Sequence, residues 1–133
     1  MRGMKVIMKE KVTFYRCEEC GNTTGVLDGN SKNILCCGKK MKPLVANSTD
    51  AATEKHVPVY EKIGDEILVK VGEAEHPMET DHYIMWITLV SEGKTTKELL
   101  KPGQLAEAKF QYIPGSVIYA YCNKHGLWKK EVE

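Results

Sequence analysis

"SVIYAYCNKHGLWKKEV", Ser116 to Val132, alternates with a period of two on both sides of a short polar turn. Successive side chains of an extended strand point to opposite faces, so Ile118, Ala120 and Cys122 share one face while Val117, Tyr119 and Tyr121 share the other. The tract reads as a strand over Ser116–Cys122, a turn at "NKHG" and a strand over Leu127–Val132. Cys122 therefore ends its strand on the face with the smaller residues, and His125 follows in the turn. Working outward, strands are expected at Val57–Ile63, Glu66–Val71, His82–Val90, Thr96–Leu100 and Ala106–Tyr112. They are separated by "GD", "GEAEHP", "SEGK", "KPGQ" and "PGS", all of which supply turn residues. About seven strands at this spacing predict an immunoglobulin-like antiparallel β-sandwich, here without the disulfide of antibody domains.

The N-terminal third is organised differently. Short β-prone pieces at Val12–Arg16, Thr23–Leu27 and Asn33–Leu35 are joined by turns such as "LDGNSKN", and a unit this small lacks the core to stand without a staple. "VANSTDAATEK" then reads as a linker with one helical turn after a cap at Ser48, Thr49 or Asp50. The expected division is a small metal-binding domain over 1–45 and a β-sandwich domain over 46–133.

The 133 residues are 42% hydrophobic and carry a formal net charge of +1. Residues 1–45 carry nine Lys/Arg against four Asp/Glu, and residues 46–133 carry ten against fourteen, so the halves stand at +5 and −4. Neither half has the strongly basic composition of a nucleic-acid binder. Lys9, Glu10 and Lys11 interrupt the N-terminal apolar residues, and no run approaches the length that spans a bilayer. A cytoplasmic location is expected, and there an odd count of five cysteines, four of them in close pairs, points to metal more than to disulfides.

Cys17 and Cys20 form a C-x-x-C pair, whose thiolates converge on one ion through a tight turn. Cys36 and Cys37 complete a four-sulfur tetrahedral shell that suits iron or zinc equally. Because Cys36 and Cys37 are adjacent, both reach one ion only if the backbone bends there, and Gly38 is placed to permit the bend. A second set consists of His56, His76, His82 and His125 with Cys122, all at expected loops or strand ends. Neutral imidazole with thiolate suits iron, copper or zinc. A blue-copper carrier would use two His, one Cys and a weak axial Met; no Met follows His125, and two histidines would be left without a role. A zinc-stapled binding module with incidental histidines is the third reading.

"YRCEECGN" (15–22), "LCCGKKMKPL" (35–44), "EKHVPV" (54–59), "HPMETDHYIMWI" (76–87) and "YCNKHGLW" (121–128) together resemble desulfoferrodoxin, the two-iron class of superoxide reductase. The resemblance runs from Tyr15 to Trp128 in the family's order, with no matched ligand position substituted. It implies a desulforedoxin-like domain holding a rubredoxin-like Fe(SCys)4 centre on Cys17, Cys20, Cys36 and Cys37. It implies a catalytic iron with His56, His76, His82 and His125 as equatorial nitrogens and Cys122 as axial thiolate. Glu54 matches the carboxylate that occupies the sixth position of the oxidised iron, and Lys55 the lysine that assists the substrate. The implied reaction is one-electron reduction of superoxide to hydrogen peroxide, with reduced rubredoxin as donor and a homodimer as the assembly.

Overall fold

The structure is a computed structural model that describes residues 13–26, 34–48, 53–72 and 74–133. The turn "LDGNSKN" (27–33) and two of the expected caps, Thr49 and Asp50, lie outside the described residues. The chain divides into two compact units, one over Glu10–Val45 and one that contains Ala46–Glu133.

In the first unit β1 (Phe14–Arg16) lies between β2 (Thr23–Gly25) and β5 (Lys42–Pro43), antiparallel to both. A separate hairpin pairs β3 (Leu35–Cys36) with β4 (Lys39–Lys40). Strands β4 and β5 have no counterpart among the expected ones, because two residues are too few to show a period. Tyr15, Cys17 and Met41 are the buried residues of this unit's core cluster, packed by Val26, Ile34 and Cys36.

The second unit begins with a single helical turn, α1 (Thr53–His56), followed by seven strands: β6 (Pro58–Ile63), β7 (Glu66–Val71), β8 (Ile84–Ser91), β9 (Lys94–Leu99), β10 (Glu107–Gln111), β11 (Val117–Cys122) and β12 (Gly126–Glu131). They form two antiparallel sheets, in the orders β10-β7-β6 and β12-β11-β8-β9, and the strands agree with the alternation in the sequence to within two residues at each end. Ile67, Val69 and Val71 of β7 with Ala108 and Phe110 of β10 pack against Ile87 and Leu89 of β8 and Ile118, Ala120 and Cys122 of β11. This is the interior of a sandwich, with the small-residue face of β11 turned inward. On the other face of β11, Tyr121 stacks on its cross-strand partner Trp86 with ring centroids 5.6 Å apart. Strand β9, "KTTKEL", is exposed along its whole length, and its polar residues suit it to a sheet edge.

One irregularity bears on the site. Tyr121 pairs with Trp86 but Cys122 pairs with Ile84, so Met85 is bulged out of β8. A bulge re-aims the residues around it, and this one lies where β11 delivers Cys122. The pairings Pro58↔Val71, Cys122↔Ile84 and Cys122↔Gly126 gather α1, the 72–83 loop and the β11–β12 turn at one end of the sandwich.

Candidate metal centres

His56, His76, His82, His125 and Cys122 each offer a ligand atom, and all five atoms lie within 4.8 Å of one another. His56 Nε2 is 3.1 Å from His76 Nε2 and 3.0 Å from His125 Nδ1. Donors bound about 2.1 Å from one ion at right angles stand about 3 Å apart, so this spacing is that of neighbouring ligands in a shell. The rings follow one another as His56, His76, His82, His125 and back to His56, with centroids 4.7, 4.9, 5.0 and 4.8 Å apart and planes crossed at 77° to 83°. Four imidazoles thus form a square, and Cys122 Sγ lies 3.8 Å from His125 Nδ1. His82 Nε2 is buried with no hydrogen-bond partner. A buried imidazole nitrogen left unpaired costs free energy unless something ligates it, so the donor set fits a transition-metal ion. Four nitrogens with one thiolate do not match the two-histidine blue-copper set, and Met78 Sδ is engaged elsewhere, by the amide of Ile84 at 3.4 Å.

Each donor is aimed by the local fold. His56 ends α1, and the indole of Trp128 stacks on it at 4.9 Å and 24°. The same indole Nε1–H donates to the His125 carbonyl at 3.0 Å, so one buried tryptophan supports two of the four rings. His76 Nδ1 donates to the Pro77 carbonyl at 2.7 Å, which fixes the tautomer and leaves Nε2 as the free donor. His82 pairs with Glu79 through both backbone groups, at 3.0 and 3.1 Å. Trp128 lies inside "YCNKHGLW" and was not singled out by the sequence reasoning. Its separation of three from His125 was the available signal.

Lys55 is exposed on α1 directly before His56, and the side chain of Glu54 lies outside the described residues. Gly72 fixes this turn from below. It adopts φ +81°, donates its amide to the Val57 carbonyl at 3.1 Å, and leaves only 2.6 Å between the site of a Cβ and the Lys55 carbonyl group. No other residue fits there, because the position needs both a left-handed backbone and the absence of a side chain.

Burial lowers the pKa of His76 to about 4 and lowers that of His82, so both imidazoles are neutral and ready to ligate at pH 7. Burial raises the Cys122 thiol, opposed by the backbone amides of Lys124 and His125 and by the Lys124 charge. The metal-free thiol therefore keeps its proton, and an ion must displace it.

The second cluster is Cys17, Cys20, Cys36 and Cys37, whose sulfurs also lie within 4.8 Å of one another. Cys20 Sγ and Cys36 Sγ are 3.6 Å apart, close to the roughly 3.8 Å edge of a tetrahedron with metal–sulfur bonds of about 2.3 Å. The bend expected at Gly38 begins one residue earlier. Cys37 (φ 55°) and Gly38 (φ 75°) are both left-handed and form the two-residue turn between Cys36 and its partner Lys39. Cys37 is thereby lifted out of the strand alternation and turned back toward Cys36. The backbone amides of Cys20 and Glu19 hold the Cys17 thiol down at about 7, whereas sharing protons with Cys20 and its neighbours pushes Cys37 up to about 12. Cys17 is driven toward the thiolate while Cys37 withholds its proton, a conflict that a cation relieves.

Comparison with known proteins agrees with this pair of sites. The desulfoferrodoxin family model matches residues 48–131, and the model of the desulfoferrodoxin N-terminal domain matches residues 9–44. The desulfoferrodoxin of Syntrophotalea carbinolica is 50% identical over 125 residues, covering 93% of this chain and 99% of its own length. That of Nitratidesulfovibrio vulgaris is 43% identical, covering 93% and 99%. Among solved structures, the superoxide reductase of Treponema pallidum superposes with a TM-score of 0.75 at 28% identity, covering 92% of this chain and 100% of the other. Matched by both domain models and by relatives covered over almost their whole length, the chain belongs to the desulfoferrodoxin family.

Proposed function

We propose that the protein is a superoxide reductase, which combines superoxide, one electron and two protons into hydrogen peroxide. The observation that carries this reading is the square of four imidazoles with a single thiolate in one partly buried cluster. Iron bound by these five residues would supply the one-electron chemistry and would accept a small anion beside them. We assign His56, His76, His82, His125 and Cys122 as the residues that would hold the catalytic iron, and Cys17, Cys20, Cys36 and Cys37 as those that would hold a separate Fe(SCys)4 centre, a shell that zinc also suits. Residues 1–45 and 46–133 are the two functional domains, a division supported by the compact units on either side of Val45.

The chain's own groups account for the rest. The Cys122 thiol, once deprotonated, would supply the one anionic donor of the set and so would raise the electron density of a bound iron, as thiolate ligands do in haem proteins. Lys55 sits beside His56 and exposed, where its ammonium attracts the superoxide anion and orders a water that delivers a proton. Glu54, adjacent on the same turn, is the carboxylate that would hold the oxidised ion, a role that the family resemblance supports. Rubredoxin as electron donor, a homodimer and a cytoplasmic location complete the proposal. The family resemblance supports the first two. The third is compatible with the described residues containing no helix long and apolar enough to cross a membrane.

Pulse radiolysis of the Lys55→Ala variant tests the assignment. The second-order rate with superoxide should fall roughly tenfold and lose much of its ionic-strength dependence. An unchanged rate and salt slope would remove Lys55 from the mechanism. Metal analysis giving two irons per chain is the companion measurement.

A further inference from the structure

Three of the four imidazoles have visible support: Trp128 stacks on His56 and holds the His125 carbonyl, and His76 is locked by Pro77. His82 differs: its buried Nε2 is the nitrogen left for an ion, and the ring is carried by the loop between Glu79 and Ile84. What holds that loop against the rest of the site is Asn123. Its side-chain Oδ1 accepts the Tyr83 amide at 3.0 Å, and its Nδ2 donates to the Asp81 carbonyl at 3.0 Å. Its backbone amide donates to the Tyr83 carbonyl at 3.2 Å. The bonds fall on the residues immediately before and after His82, whose own backbone groups are both taken by Glu79.

Asn123 is also the residue directly after Cys122, two before His125. A single amide therefore joins the segment with the thiolate to the segment with His82, across 40 to 42 positions of sequence. Only a side chain that both donates and accepts within one short planar group can bracket a residue in this way. Aspartate retains the acceptor and loses the donor; alanine loses both. We propose that Asn123 is the positioning residue for His82, holding that imidazole in the square and coupling its placement to that of Cys122. The proposal rests on the metal-site assignment made above.

Iron release to ferrozine measures this directly in the iron-loaded, full-length protein. Second-sphere partners of metal ligands are worth roughly 10- to 100-fold in affinity, so Asn123→Ala should release its catalytic iron faster by about that factor. Asn123→Asp should fall between it and the parent. The colour of the Fe(SCys)4 centre should not change in either. A second readout separates positioning from general stability: in the metal-free protein, the Tyr83 amide should lose hydrogen-exchange protection in Asn123→Ala and keep most of it in Asn123→Asp. If Asn123→Ala fails to fold, Asn123→Asp compared with the parent carries the test through its release rate alone. Release as slow as the parent's in the variants that fold, or faster release with Tyr83 protection unchanged in Asn123→Ala, overturns the proposal. Failure of the underlying assignment has a different signature, since Cys122→Ser would then retain the second iron as firmly as the parent does.

Discussion

At the scale of single residues, protons decide whether the candidate site binds metal. Burial raises the Cys122 thiol and lowers His76 to about 4, so at pH 7 the ion displaces a proton from sulfur but none from His76. Protons and metal compete for the thiolate, so affinity should rise with pH through the neutral range and weaken steadily on acidification. The sign for the metal-free fold follows from His76. Its folded pKa lies below the unfolded value of about 6.5, so the unfolded chain takes up the proton first. Stability is full above that value and is lost as pH falls from about 6.5 toward 4. A titration of the thiolate-to-iron absorption, paired with thermal melts of the metal-free protein at the same pH values, checks both; retention of the band well below pH 5 would contradict the first. Cys122 was legible in the sequence because alternation placed it on the small-residue face of a strand. The roles of Gly72, Asn123 and Trp128 were not, since each acts through a contact that the local pattern does not encode. Gly72 lies 17 positions from Lys55 in sequence, yet its missing Cβ is what lets that backbone approach. Gly72→Ala should therefore displace α1, cost about 2 kcal/mol or more and slow superoxide reduction, as measured by denaturant unfolding and pulse radiolysis.

At the scale of elements, turns do more of the positioning than strands. The sandwich strands follow the period-two pattern closely, whereas both metal sites are built where that pattern stops. Adjacent cysteines on a regular strand would face opposite ways, and the hairpin resolves this by placing Cys37 itself in a left-handed turn with Gly38. The sequence indicated a bend, but it could not say that a cysteine rather than the glycine would begin it. A side chain added at Gly38 would meet nothing within 4 Å, so only the backbone conformation penalises substitution there. Gly38→Ala is expected to cost about 1 to 2 kcal/mol and to keep the tetrahedral centre's colour, and a β-branched valine should cost more. Thermal loss of the Fe(SCys)4 absorption gives the comparison. Equal midpoints for glycine and alanine would mean that the turn opens when metal binds.

At the scale of the whole molecule, the two units hold their folds by different means. Thirteen buried residues form the core cluster of the sandwich, whereas the described residues of the N-terminal unit supply a cluster of three, with Phe14 buried beside it, and one of those three is the ligand Cys17. A core that small does not offset the chain entropy of ordering more than thirty residues, so most of its stability must come from metal–sulfur bonds. The sandwich, by contrast, buries enough apolar surface to stay folded with its five donors unligated. Cys17→Ser should then remove the first centre's colour and unfold the N-terminal unit, while amide protection across β7, β8 and β11 stays near that of the parent. Because all five donors of the other cluster lie in the sandwich, the pre-reduced variant should still consume superoxide at the parent's rate under pulse radiolysis. A parallel loss of the second iron in Cys17→Ser would mean that the sandwich depends on its neighbour for stability. Normal iron content with failed turnover from a protein donor would instead make the first centre an obligatory electron relay, a role that a purely structural staple does not have.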